Sequence, residues 1–277
     1  VMPDTPVATE HPEWLLRTRN DPNNLLLNLG NPDARDWAIQ TVERLVREEH
    51  IDYYRQDFNF NTLPFWREAD AEDRQGISEA RFVDGLYRFW DALRQRFPDM
   101  LIDNCASGGR RIDFETMSRS ICLWRADQLG RPWFDDSEVN QLQIQSLTPW
   151  VPLHAGGVNI ANRDEYAVLS GIGPSVSPAL DFPLYADEAD GRWKAEMRAL
   201  AKRLSPWFLR DFYPLTGAAE DRGNLCAYQC HDSAADNGFI LVFRRPGSPV
   251  SAIVLHAEGI DAGADYDLEV FRGETSR

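Results

Sequence analysis

The sequence is poor in cysteine, histidine, positive charge and long apolar runs, and each shortage removes a class of function. Four cysteines in 277 residues, Cys105, Cys122, Cys226 and Cys230, are too few for a disulfide scaffold. Cys226 and Cys230 stand four apart, but no second such pair and only five histidines accompany them, which argues against a structural zinc site. No apolar stretch approaches the roughly 20 residues that cross a bilayer. The opening residues show no basic-then-apolar leader. The chain begins with Val1, as a processed or truncated product would, so its N-terminus fixes no compartment and a cytoplasmic location is the default expectation. With 29 Lys and Arg against 44 Asp and Glu, the formal net charge is -15. Such a surface repels nucleic acid and anionic lipid at long range, so neither is expected as a partner.

What is present is enough for a large core: 43% of the residues are hydrophobic, and the length allows one domain or two. Residues 25–29 read as a short strand, closed by a turn at Gly30. Asn31 and Pro32 then fit an N-cap and a first-turn proline. Apolar residues from Trp37 to Val46 recur at helical spacing, and Ile51 to Tyr54 form the next apolar run, which predicts the strand, helix, strand order of a parallel sheet. A polar segment from Asn59 to Ile77 reads as a long, functional loop. An amphipathic helix through Phe82, Leu86, Phe89, Trp90 and Leu93 follows, with only Ser78 as a weak cap.

The alternation then repeats. Residues 100–105 and 121–124 read as strands, 114–120 and 139–147 as helices, and 151–157 as a strand end and loop. Residues 166–178 end in glycine and proline breakers and resist assignment, whereas 193–205 read as a helix closed by Pro206. Beyond Pro214 the runs 225–230, 238–244 and 266–271 alternate with turns, as an all-β domain would. The expected organisation is therefore α/β over residues 1–217 and all-β over 218–277.

Two strand ends deliver carboxylates. Asp57 closes the run Tyr53-Tyr54-Arg55-Gln56, and Asp127 follows Leu123-Trp124-Arg125-Ala126. Paired carboxylates at strand ends suit acetal hydrolysis, in which one attacks the anomeric carbon and the other protonates the leaving oxygen. Arg55 beside Asp57 favours its ionised form, so Asp57 is the candidate nucleophile and Asp127 the candidate acid/base. Taken locally, each could equally be a turn carboxylate, Asp57 salt-bridged to Arg55 and Asp127 capping the next turn. Between them, Cys105-Ala106-Ser107-Gly108-Gly109 reads as a tight turn in which glycine admits positive φ or close approach of a ligand. It lacks the spacing and lysine of a phosphate loop, and no histidine lies near Cys105 to make it a nucleophile.

Taken together, Arg55-Gln56-Asp57-Phe58-Asn59, the turn from Cys105 to Gly109 and the pair Ala126-Asp127 resemble three ordered motifs of the retaining alpha-galactosidases of the large microbial and plant type, glycoside hydrolase family 36 of clan D. The likeness is expected for the C-terminal portion of the chain only, with the resemblance covering most of residues 8 to 217 and extending to the β tail. The resemblance implies the C-terminal part of a (β/α)8 TIM-type barrel, entered near its third strand, followed by a small antiparallel β-sandwich domain. It implies a fragment of a larger enzyme that hydrolyses terminal alpha-linked galactose with retention and needs no cofactor or metal. Its partner would be a terminal alpha-galactoside oligosaccharide, and the full-length enzyme could form a homo-oligomer.

Arg55, Asn59, Cys105, Gly108 and Trp124 become the candidate sugar-binding residues. Three departures stand out: Arg55 replaces the family's lysine, Gln56 its tryptophan and Ala126 its serine. Galactosyl transfer of the raffinose-synthase type and a catalytically silent carbohydrate-binding scaffold are the rival functions. Trp124 could be a sugar platform or a core side chain, Asp103, Arg110, Arg111 and Asp113 an ion network, and Trp66 with residues 70–74 a rim or a solvated loop. His154 reads either as a substrate contact or as a hydrogen-bonded structural residue.

Overall fold

The structure, a computed structural model, describes residues 1–130, 137–151, 153–160, 163–179, 188–217 and 223–270. It is a mixed α/β fold of small sheets and several helices, and it divides into two compact units, Val1–Ile121 and Cys122–Arg277. Among the described residues no sheet closes into a barrel.

In the first unit, α1 (Pro6–Glu10) leads to β1 (Leu15–Leu16), which pairs antiparallel with β2 (Leu26–Leu27). The strand expected at 25–29 is thus shorter and opens no parallel sheet. The Asn28 side chain accepts from the Gly30 amide at 3.1 Å and turns the chain away. Helix α2 (Pro32–Glu49) starts as expected, with the Asn31 side chain accepting from the Asp33 amide and Pro32 in the first turn. His50, at φ 52°, ends it in the left-handed region.

Strand β3 (Tyr53–Gln56) lies parallel to β4 (Leu101–Asn104), with Arg55 opposite Asp103. The segment between them is not the expected long loop. It holds α3 (Leu63–Ala69), a 3-10 turn at Glu72–Arg74, and α4 (Ile77–Arg96). Phe65 draws α3 in, being fully buried with its ring 5.5 Å from Phe60. The cap of α4 is Asp70, whose carboxylate accepts from the Gly76 amide at 2.8 Å and from the Ser78 amide and hydroxyl at 3.0 and 2.6 Å. Asp70 lies seven residues before the helix, beyond the reach of a local capping pattern.

The core of this unit gathers Ile39 and Val46 from α2, Phe65 from α3, and Phe82, Phe89, Trp90 and Leu93 from α4, with Ile102 from β4. Gly85 lets α4 press on the chain before α2. A Cβ there would stand 2.0 Å from the Leu29 carbonyl oxygen. The short helix α5 (Phe114–Met117), capped by Asp113, replaces the longer helix expected at 114–120. The strand expected at 121–124 reduces to two single bridges, Ile121 to Asp103 and Trp124 to Ala155. Each end meets a different partner, so no ladder of consecutive pairs can grow.

The second unit contains α6 (Ser137–Leu147), β5 (Ala155–Asn159), α7 (Glu165–Gly171) and β6 (Ser175–Ala179), with β5 and β6 parallel. Strand β5 starts four residues later than the expected 151–157 run, whose Pro152 lies outside the described residues. Helix α8 (Glu188–Leu204) then leads to an antiparallel sheet in the order β7 (Asp211–Pro214), β8 (Cys226–Asp232), β9 (Asn237–Phe243). Its core joins Ile144, Val168, Ile172, Phe208, Tyr228 and Phe243. The strand expected at 266–271 is absent over 266–270, and Phe271 lies outside the described residues, as do 218–222 at the start of the expected β domain. Side chains tie this tail: Gln229 exchanges hydrogen bonds of 2.7 and 2.9 Å with the Glu258 backbone, and the Tyr266 hydroxyl donates to Asp236 at 2.7 Å.

Candidate active site

Strand alternation sorts β3 into two faces. Tyr54 and Phe58 pack on the core of the first unit, Tyr54 edge-on to Phe89 and Phe58 to Phe82. Gln56 shares that side and accepts from the Trp90 indole N–H at 2.8 Å. The side chain that replaces the family's tryptophan therefore faces α4, away from the exposed side of the strand. Tyr53, Arg55 and Asp57 occupy the other, exposed side.

Asp57 follows the last residue of β3 and is one-third exposed. The backbone around it is pinned: the Cys105 amide donates to the Gln56 carbonyl at 2.8 Å, and the Phe58 amide to the Cys105 carbonyl at 3.2 Å. Partial burial alone would raise the Asp57 pKa. The Cys105 thiol, the Asn59 side chain, the Arg55 charge and the Ser107 amide outweigh it and hold the carboxyl below its ordinary value. The Arg55 Nη2 stands 3.5 Å from Asp57 Oδ2, while Nη1 pairs with Asp103.

The turn after β4 supplies the remaining donors. Ser107 and Gly108 both have positive φ, 53° and 82°, which folds the loop back under Asp57. The Ser107 hydroxyl donates to the Phe58 carbonyl and the Asn59 side chain, both at 3.2 Å, and the Gly108 amide donates to Cys105 Sγ at 3.4 Å. Burial pushes the Cys105 thiol up, so it remains a protonated donor and is no nucleophile. The structure thus brings Arg55, Asp57, Asn59, Cys105 and Gly108 together. Sequence reasoning missed Tyr53 and Ser107 here. The two-residue spacing of 53, 55 and 57 could have flagged Tyr53, whereas nothing local marks Ser107 as left-handed. Asp103 was expected among Arg110, Arg111 and Asp113. The parallel register sets it against Arg55. Trp66, a proposed rim residue, packs against Phe82 at 5.3 Å and belongs to the core periphery.

In the second unit, Asp127 is half-buried and opens a turn that ends at Gly130, φ 77°. Trp124, also half-buried, lies over Gly157, where a Cβ would meet its indole at 2.9 Å. Arg125 is buried, donating to Gln143 at 2.9 Å, Asn140 at 2.5 Å and His154 Nδ1 at 3.0 Å. Gly156 makes room for it, since a Cβ there would fall 2.6 Å from the guanidinium carbon. Arginine can only donate, so the neutral His154 carries its proton on Nε2, which faces the Thr148 hydroxyl at 3.1 Å. Burial first, and the Arg125 charge second, lower the His154 pKa to about 3. His154 is therefore a structural acceptor, as the blander reading held. Among the described residues no group of three or more His, Cys, Asp or Glu is arranged to hold a metal ion, and no helix is long and apolar enough to cross a membrane.

Comparison with known proteins identifies the family to which the chain belongs. The family profile described as Melibiase matches residues 1–162. The chain belongs to the melibiase family. It is 25% identical over 289 residues to alpha-galactosidase AgaA of Geobacillus stearothermophilus, covering 97% of this chain and 38% of that protein. Alpha-galactosidase 2 of Hypocrea jecorina is 26% identical over 99% of this chain and 37% of its own length. An Escherichia coli alpha-galactosidase is 34% identical over 59% of this chain and 22% of its own length. The chain thus spans less than two-fifths of the length of these melibiase relatives. The expectation that the likeness is confined to the C-terminal portion of the chain is overturned, because the alignments reach 97 and 99% of the chain and the family match starts at residue 1.

Solved structures agree on the fold. The Lactobacillus brevis alpha-galactosidase superposes with a TM-score of 0.72 at 19% identity, over 93% of this chain and 36% of that one. A Geobacillus stearothermophilus GH36 AgaA variant in complex with raffinose gives 0.73 at 23% identity, over 95% and 38%.

Proposed function

We propose that this chain is the part of an exo-acting alpha-galactosidase that carries its reacting carboxylates, and that the enzyme releases terminal alpha-linked galactose from oligosaccharides with retention. The observation that carries this reading is the state of Asp57: a carboxylate at a parallel strand's C-terminal end, held ionised by convergent donors, is prepared to attack an anomeric carbon. Membership of the melibiase family and the raffinose complex of a relative support the substrate class. Asp127 is the proposed acid/base. In the first half of the reaction it protonates the departing oxygen while Asp57 forms the glycosyl ester. In the second it takes a proton from the water that breaks that ester. Arg55, Asn59, Cys105, Gly108 and Trp124 are the proposed sugar contacts.

The proposal extends to architecture. Two parallel pairs, β3 with β4 and β5 with β6, each joined through helices, are units from which a (β/α)8 barrel is built, and residues 1–217 are assigned to part of one. Residues 218–277 are assigned to a small β-sandwich domain. Homo-oligomerisation of the full-length enzyme belongs to the same proposal and rests on the resemblance alone.

The test is hydrolysis of raffinose by the full-length protein beside Asp57→Asn and Asp127→Asn, with the anomer of the first-released galactose followed by NMR. Loss of rate by orders of magnitude in both variants and initial release of the alpha anomer are expected. Normal turnover by either variant removes that residue from its role, and the beta anomer first would refute retention. Accumulation of galactosylated acceptor in place of free galactose would move the assignment to transfer.

A further inference from the structure

Asp103 has no place in the reaction as described, yet its carboxylate is fully buried beside Arg55, the ion-pair partner of the candidate nucleophile. It sits on β4 opposite Arg55 in the parallel register and is reached from the same face of β3 by two side chains. The Tyr53 hydroxyl donates to Asp103 Oδ2 at 2.5 Å, and Arg55 Nη1 pairs with the same oxygen. The other nitrogen of the Arg55 fork, Nη2, stands 3.5 Å from Asp57, outside normal hydrogen-bond distance. One guanidinium therefore spans two carboxylates, tightly bound to the buried one and held off the exposed one.

We propose that Asp103 is a positioning residue for the candidate nucleophile: by occupying one arm of Arg55, and itself steadied by Tyr53, it stops the guanidinium from closing on Asp57 as a bidentate clamp. The inference rests on Asp57 being the nucleophile. Its physical basis is the planar fork of arginine, which can grip a carboxylate with two parallel N–H bonds when nothing competes. A carboxylate gripped in that way is stabilised as an anion, turned toward its partner and a poorer nucleophile. Asp103 also supplies a counter-charge, so Asp57 faces a largely neutralised cation. The groups bearing on Asp57 in this unit are Arg55 on β3 and the Cys105 thiol in the turn after β4, with the uncharged donors Asn59 and Ser107. Tyr53 and Arg55 both reach Asp103.

The experiment uses the full-length enzyme with an alpha-galactoside, and records kcat/KM against pH in brief assays that outrun acid unfolding. For Asp103→Asn the expected results are a loss of kcat of about 10- to 100-fold, as for a reacting group displaced by about an ångström, and a shift of the acid limb to lower pH as Arg55 closes on Asp57. The basic limb should stay in place. Asp103→Glu, which keeps the charge, should return the acid limb to its wild-type position. If Asp103→Asn fails to fold, Tyr53→Phe provides the reading. It removes one donor from Asp103, binds Arg55 more fully to it and should move the acid limb upward. An acid limb unmoved in the folded variants, or moved in the opposite sense, overturns the proposal even if thermal stability falls. Normal turnover by Asp57→Asn is a separate result, and overturns the nucleophile assignment.

Discussion

The Trp90 indole N–H and the Gln56 carbonyl oxygen meet at 2.8 Å between α4 and the back of β3. Trp90 is fully buried, so this bond satisfies a donor that has no water to turn to. Replacing Gln56 by Leu should keep the volume but orphan the indole, costing about 1 to 3 kcal/mol. Denaturant unfolding measures the loss, and KM for an alpha-galactoside should stay within error because the side chain faces α4. A raised KM at unchanged stability would contradict this placement.

Gly85 makes the opposite kind of demand. Alanine is the better helix former by about 1 kcal/mol, yet its Cβ would fall 2.0 Å from the Leu29 carbonyl oxygen. Backbone must then move, and overpacking of this kind costs about 1 to 3 kcal/mol. Gly85→Ala is therefore expected to destabilise the first unit, as a lower unfolding midpoint and faster exchange of the α4 amides. A stabilised variant would show that α4 can shift freely.

Removal of the Arg55 charge tests the electrostatics of the site. Burial raises the Asp57 carboxyl pKa, and Arg55 is among the groups that bring it down. Arg55→Gln should move the acid limb of kcat/KM to higher pH, since protonated Asp57 cannot attack. An unmoved limb would mean that Cys105, Asn59 and Ser107 suffice to keep the carboxylate ionised.

His154 couples the second unit to pH. Its pKa falls from 6.5 in the ordinary state to about 3 when folded, chiefly through burial. The unfolded chain therefore binds the extra proton first. Stability from this residue is complete above about 6.5 and is lost as pH falls toward about 3. The wild-type unfolding midpoint should decline through that window. His154→Gln should start lower at neutral pH and decline less steeply, and equal slopes would remove His154 as the cause.

Much of this fold could be read from local pattern because local physics dictates it. Asn31 and Pro32 start α2, and the spacing of Phe82, Leu86, Phe89 and Leu93 marks α4. What escaped depends on partners distant in sequence. Asp70 caps a helix from across an intervening turn, and β2 pairs back to β1 through two leucines. Residues 266–270 alternate like a strand but have no neighbouring ladder. At the candidate site, Asp57, Arg55 and Cys105 were legible as a strand end and a turn. Their joint geometry, and the part of Asp103 in it, came only with the parallel register that sets residue 55 against residue 103.

The alternation along β3 also bears on how such a protein can change. Tyr53, Arg55 and Asp57 face the candidate site, while Tyr54, Gln56 and Phe58 answer to the helices behind them. The odd positions therefore change under the constraint of the candidate site and of the buried Asp103 carboxylate, and the even positions drift only as far as their helical neighbours drift with them. A single inserted residue in this strand would exchange the two sets at once. Insertions and deletions here should be purged from descendants even where point substitutions are freely accepted.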